Sequence, residues 1–501
     1  MSTARLFRLA PPDRTGVLMG LGLSQFVVVG TALLMASLAF AHHQLGVGVT
    51  IVVVGVVVVF GRWRRQPVLD WLAAGARLAR LQVGGRRWYR PLPLVPREDS
   101  GALALPPALT GQRVLAVEGA RYGWPLQPHI AVVHDTRTAR YAASVRVAGE
   151  RFALLEPAGQ AAAVERWGEV LGAWCRERSV ICQIRWCESA APGGLEQHRA
   201  WLDANLAASP VANTVDAYRQ LLDRAGPMTT PHEVVLTLVA DGRRVARHRG
   251  EDRHQATVDA LLAEMAALQT RLDIAGLASS PPLSPGELGR AMHARFDPWA
   301  ATTVERRSRS LGHTTAVCDP ATGGPLATCL SWRRWETDSV CHRTFLAVDW
   351  PRVDVPADWL GRLLLPGGSV RAVCGIFEPI APSRSRRALR FAATKLKGDE
   401  QTRIERGFHV PAALRRQRQL VAEREAELER GFGEVAYSGL VVVSGRSTEE
   451  LDRAAAGLCD VAAAAGVDLR PLDGRHDLAV AATLPLARGV SSPAALREVL
   501  G

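Results

Sequence analysis

The feature that most restricts how this chain can fold is a pair of uncharged apolar runs near its start. Gly16 to Ala41 reads GVLMGLGLSQFVVVGTALLMASLAFA, and after the turn AHHQ a second run, Leu45 to Phe60, reads LGVGVTIVVVGVVVVF. A helix needs about 20 apolar residues to cross the hydrocarbon core of a bilayer. The first run meets that length. The second is short, but Trp63 can sit at the interface and slight thinning can absorb the mismatch. A buried strand pair would leave the longer run unexplained, so the sequence predicts a transmembrane helical hairpin within residues 1–66. Arg5, Arg8 and Arg14 precede a long span and a second span follows directly, which reads as an uncleaved anchor rather than a signal peptide. The loop between the runs carries no Lys or Arg, while Arg62, Arg64 and Arg65 follow the second run. These three are the expected membrane-orienting residues. By the positive-inside rule both termini then lie in the cytoplasm, and the protein belongs in the cell (inner) membrane with two spans, about 16–41 and 45–60.

The remaining chain reads as a water-facing body. Residues 67–82, PVLDWLAAGARLARLQ, form an amphipathic basic helix that can lie on an anionic leaflet or pack its apolar stripe on the domain that follows. Residues 91–111 are proline-rich and read as a linker, so 67–111 is one juxtamembrane unit. From 112 to 297, strand-like segments (RVLAVE, HIAVVHD, YAASVRVAG, VICQIRW, HEVVLTLVAD) alternate with helical ones. Residues 298–338 look irregular and slightly basic. A second block from 339 to 501 contains FLAVDW, SVRAVCGIFEPI, AYSGLVVVSG and a long helical region at 383–432, with Ser447 and Glu450 spaced as a capping box. Strands separated by helices, with one early hairpin, predict an α+β fold: a cytoplasmic, two-lobed, ferredoxin-like body.

The chain is basic, +12 at pH 7, and almost all of that charge is arginine because Lys395 and Lys397 are the only lysines. Basic excess suits an anionic membrane surface or nucleic acid. The eight cysteines form no C-x-x-C and stand beside no histidine pair at zinc spacing, which points to reduced, buried thiols and no metal. Neither lysine sits in a G-x-x-x-x-G-K-[ST] loop, so no phosphate cradle is encoded; G-x-S-x-G, H-E-x-x-H and the EF-hand loop are also missing. No catalytic, cofactor-binding or metal residues are therefore expected. Asp349, Glu378 and His342 lie near strand ends, where solvated or capping roles are the ordinary ones. The pair Cys341–His342 would point to opposite faces of a strand. The clearest signal is SRSRRALRFAATKLKG, 383–398, with six basic residues and no acid. Arg384, Arg386, Arg387, Arg390, Lys395 and Lys397 form either a solvated face or a surface for an acidic partner, lipid head group or nucleic acid. In the second half of this region Leu414, Val421 and Leu428 repeat every seven, too few positions to establish a coiled coil.

The run AALRRQRQLVAEREAELERGFGEVAYSGLVVVSGRSTEELDRAAAGLCDVAAAAGVDLRPLDG with AATLPLARGV, together with YAASVRVAGERFALLEPAGQAAAVERWGEVLGAWC, resembles a family of actinobacterial two-span membrane proteins associated with conjugative, type IV-like secretion loci. The resemblance implies a PrgI-type membrane hairpin. It also implies a soluble part similar to the N-terminal domain of the TraC-type conjugation ATPase without its motor, with Ala482–Gly489 at the place where that domain closes. The implied function is a non-catalytic, membrane-anchored scaffold that docks a separate P-loop ATPase or other secretion subunits, in a homo- or hetero-oligomer. A type VII secretion component and a membrane-tethered nucleic-acid binder, drawn from Arg384–Lys397 and Arg306–Arg309, are the alternatives.

Overall fold

In the computed structural model the described residues are 7, 23–63, 66–90, 105–149, 152–191, 195–206, 212–225, 232–245, 252–300, 323–351, 353–365 and 369–488. Arg5, Arg8, Arg14, Arg64, Arg65, Arg306–Arg309, Cys318, most of the linker at 91–111 and most of the connection at 298–338 lie outside them.

The two apolar runs form helices α1 (Leu23–Ala41) and α2 (Leu45–Phe60), joined by a turn in which His43 takes a positive φ of 58°. They pair because small residues face large ones. A Cβ on Gly48 would collide with the Phe40 ring, one on Gly55 would sit 2.8 Å from the Ala32 Cβ, and the Gln25 amide donates to the Val59 carbonyl at 3.3 Å. The transmembrane reading is corrected: among the described residues no helix is long and apolar enough to cross a membrane. At 1.5 Å per residue, the 19 described residues of α1 cover about 28 Å and the 16 of α2 about 24 Å. The two-span membrane localisation with cytoplasmic termini falls with it, and Arg62, Arg64 and Arg65 have no described span to orient. Arg62 instead lies exposed in a two-residue ladder of β1 (Arg62–Trp63) with β2 (Gln66–Pro67).

Helix α3 (Val68–Val83) turns its stripe onto the body. Leu78 and Leu81 join the core, Trp71 stacks on Trp332 at 5.5 Å, and Arg77 grips Asp477 with two bonds of 3.0 and 2.6 Å. Trp71, Leu78 and Leu81 of its apolar stripe are therefore covered by protein, while Leu72 stays exposed.

Along the rest of the chain come β3 (Trp88–Tyr89), β4 (Gln112–Glu118), β5 (His129–Asp135), β6 (Arg140–Gly149), α4 (Pro157–Gly172), β7 (Ile181–Ala190), α5 (Glu196–Ala204), α6 (Ala212–Ala225), β8 (His232–Asp241), α7 (Arg253–Ile274), β9 (Leu277–Ser279) and α8 (Pro285–Phe296). The second half gives β10 (Thr328–Leu330), β11 (Trp335–Thr337), β12 (Val340–Asp349), the four-residue α9 (Gly361–Leu364), β13 (Val370–Ile380), α10 (Pro382–Glu405), α11 (Ala412–Glu429), β14 (Glu434–Gly445), α12 (Thr448–Ala464), β15 (Asp468–Pro471) and α13 (His476–Thr483).

The two-lobed ferredoxin-like expectation is also corrected. The strands form one antiparallel sheet of 13, ordered β3-β10-β11-β12-β14-β13-β7-β8-β6-β5-β4, with β15 added beside β12 and β9 beside β6. The seam between the expected lobes is a ladder of seven pairs, Arg371↔Ala190 to Phe377↔Ile184, that joins β13 to β7. Because β13 and β14 are covered on both faces, their sequences carry apolar runs (LVVVSG, AVCGI) rather than clean alternation. On one face α4 and α7 cover β5–β8, with Leu261, Met265, Leu268 and Leu272 of α7 turned inward, while α12 covers β12 and β14. On the other face lie α8, α13 and the chain after it, Leu484–Ala487. Each fully buried leucine contributes about 1.5–3 kcal/mol, so this three-layer packing, rather than local propensity, holds the strands in register.

Candidate functional site

The adjacent central strands β13 and β14 are not joined by a turn. Between them the chain leaves the sheet at Pro382 and returns at Glu434, forming α10 and α11 as an antiparallel helical arm whose helices pack chiefly on each other. Pro382 occupies the first turn of α10, where its missing N–H costs nothing. Glu177 closes that end, accepting from the Ser383 N–H and the Ser383 hydroxyl at 2.7 Å each, and these bonds hold its carboxyl below the usual range. Gly407 at φ 72° and Pro411 make the break between the two helices. Leu414, Val421 and Leu428 are half-buried, so the apolar repeat in α11 seats the arm's own first helix. The pairs Arg418–Glu400 and Arg424–Glu434 tie the arm laterally.

Within α10 only Ser385 and Leu389 are buried. Arg384, Arg386, Arg387, Arg390, Lys395 and Lys397 are all exposed, so the structure brings the sequence-predicted set onto one element. At about 100° per residue they divide into two stripes. Arg386, Arg390 and Lys397 share one flank; Arg384, Arg387 and Lys395 share the other. Thirteen basic and seven acidic residues lie between Pro382 and Phe432, a net +6, or half of the excess of the whole chain. Exposed apolar side chains stand among them: Phe391, Ile404, Phe408 and Phe432. The four glutamates at 423–429 fall on the half of α11 nearer the sheet. Arg403, Arg406, Arg415 and Arg416 therefore extend the basic surface toward the tip, a contribution that the sequence pattern of α10 alone did not mark.

The other polar candidates have structural roles. His342 is fully buried, with Nδ1 2.8 Å from the Ser444 hydroxyl and Nε2 2.8 Å from that of Thr337; burial pulls its pKa down to about 4. Cys341 turns the other way, toward α12, and burial pushes its thiol up. Glu378 accepts from Gln183 at 3.1 Å, and burial raises its carboxyl to about 7 against the pull of Arg140, Arg244 and Arg384. Asp349 stands at the end of β12 opposite Asp468. Among the described residues no three His, Cys, Asp or Glu gather as metal ligands, and all seven described cysteines are unbonded.

Sequence reasoning missed Arg185. It lies in β7, is 2% exposed, and directs its guanidinium at the carbonyls of Ala482 (3.4 Å), Leu484 (3.3 Å), Leu486 and Arg488 (3.5 Å). Arg488 in turn holds the fully buried Asp135 through bonds of 2.8 and 2.6 Å, and the Ala487 N–H donates to Gln112 at 3.2 Å. The stretch LPLAR is thereby fastened beneath the sheet. No protein-family model and no curated protein matches this chain.

Proposed function

We propose that the protein is a non-catalytic docking component that engages a separate P-loop ATPase through the α10–α11 arm, as its resemblance to motor-less conjugation proteins implies. The observation that carries this reading is the arm itself. A helical hairpin inserted between two central strands, with net charge +6 and exposed phenylalanines, does little for the core and presents mixed basic and apolar surface. The missing phosphate-binding loop supports assigning the nucleotide chemistry to a partner. Basic stripes speed encounter with an acidic surface, and buried aromatics then supply affinity.

The test is binding of the purified chain to the P-loop ATPase encoded beside it. Arg386, Arg390 and Lys397 changed together to Glu should weaken capture at least tenfold while leaving the melting curve intact. Undiminished capture by that variant would overturn the reading. The same stripes favour a second reading, nucleic-acid binding. In that case log affinity for a DNA duplex falls linearly with log salt, and the triple variant flattens the slope.

A further inference from the structure

A cavity of about 300 Å³ opens on the α4/α12 face of the sheet, away from the arm's charged flanks. Its floor follows from strand register. Ala347 of β12 lies opposite Gly439 of β14, Gly439 opposite Gly375 of β13, and Gly375 opposite Trp186 of β7. Three of the smallest residues thus form one row across three central strands, ended by Trp186 on the fourth. The neighbouring rows on the same face are bulky: Phe345, Val441 and Val373 on one side, Tyr437 and Phe377 on the other. The result is a trough cut into the sheet.

Aromatic rings form its walls. Trp350 lies against the bare backbone of Gly439, where a Cβ would come within 2.8 Å of the indole. Trp359 meets Trp350 nearly at right angles (84°, 6.0 Å), Tyr437 meets it at 65° and 5.6 Å, and Trp167 stands edge-on to Phe377. Leu360 and Leu363 close one end. Glycine inside a strand weakens it and marks a close approach; here Gly439 admits the Trp350 indole and Gly375 the edge of the Phe377 ring, so the aromatic walls sit low against the sheet. Trp186 packs against the core clusters on both sides, so the trough lies where the two helix layers of this face fail to meet.

We propose that this trough binds a flat, uncharged ring system. The lining is almost wholly apolar, so a charged ligand would lose its hydration without compensation. Water is poorly held for the same reason. The volume lies at the small end of the range for ligand pockets. Ring faces and edges set at right angles favour a planar aromatic guest through offset and edge-to-face contacts that a saturated chain cannot make.

The test uses the full chain and the neutral probe N-phenyl-1-naphthylamine. One equivalent should bind with quenching of tryptophan emission and be displaced by indole. Trp359→Ala, which removes a wall, and Leu360→Trp, which pushes a larger side chain into the trough from its closed end, should each weaken the probe at least tenfold with unchanged circular dichroism. If one variant does not fold, the other decides. Absence of saturable binding, affinity unmoved in the folded variants, or displacement by 1-octanol in preference to indole would each overturn the proposal.

Discussion

Three ionisable residues, His342 and Arg185 buried and Glu378 half-buried, show how single side chains are set by their surroundings. Glu378 has its carboxyl raised by burial to about 7. Between the unfolded value near 4.5 and 7, the folded protein holds a proton that the unfolded chain has released. Stability from this residue therefore falls as pH rises through that window, and the penalty is complete above it. Glu378→Gln should leave stability unchanged at pH 4. At pH 8 it should add about 1–2 kcal/mol, after allowance for water reaching the part-exposed group, as read by urea unfolding at the two pH values. His342, drawn down to about 4, acts in the opposite direction: its contribution is lost as pH falls from 6.5 toward 4, because only the unfolded chain takes up the proton. Arg185 needs its carbonyl partners more than a counter-ion, and burial lowers its pKa to about 10. Arg185→Ala strands four carbonyls and opens a cavity, for an expected loss of about 3–5 kcal/mol. Arg185→Met refills the volume and removes the buried charge, so it should cost clearly less in the same titration. Equal losses would show that the hydrogen bonds, not the packing, dominate.

At the scale of elements, the two helical hairpins differ in their ties to the sheet. The arm of α10 and α11 is continuous with β13 and β14, so its base is fixed while its flanks stay open. The pair α1–α2 touches the body through α3 and β2, while Phe7 pairs with Val355. Outward-facing Leu34, Val53, Val56 and Phe60 are exposed. A chain beginning at Gln66 should therefore keep a cooperative melt with a midpoint lowered by no more than a few degrees. Loss of the cooperative transition would show that the hairpin belongs to the folding unit. Local sequence marked these elements well, since apolar periodicity and the Ser447–Glu450 cap need only near neighbours. The strands β10 and β11 were missed because each is three residues long and defined only by its ladder partners.

For the whole molecule, the continuous sheet predicts a single unfolding event. The β7–β13 ladder couples residues 181–190 to 370–380, so tryptophan fluorescence and far-UV circular dichroism should trace one coincident transition in urea. Two separated transitions, one for each half, would restore the two-lobed description. The sequence by itself determined the element types, the absence of a phosphate-binding loop and the basic run on α10, because these depend on residue identity and spacing along one segment. It marked the Pro67–Gln82 stretch as an amphipathic helix and left open what its stripe would cover; the contacts with Trp332 and Asp477 decided that. Only the tertiary structure showed how the helices of the first hairpin pair, with Gly48 under the Phe40 ring and Gly55 against Ala32. Only register across β12, β14, β13 and β7 aligned Ala347, Gly439 and Gly375 into a trough. Residues more than 300 positions apart met around Arg185, and no pattern within a single segment encodes a distance of that kind.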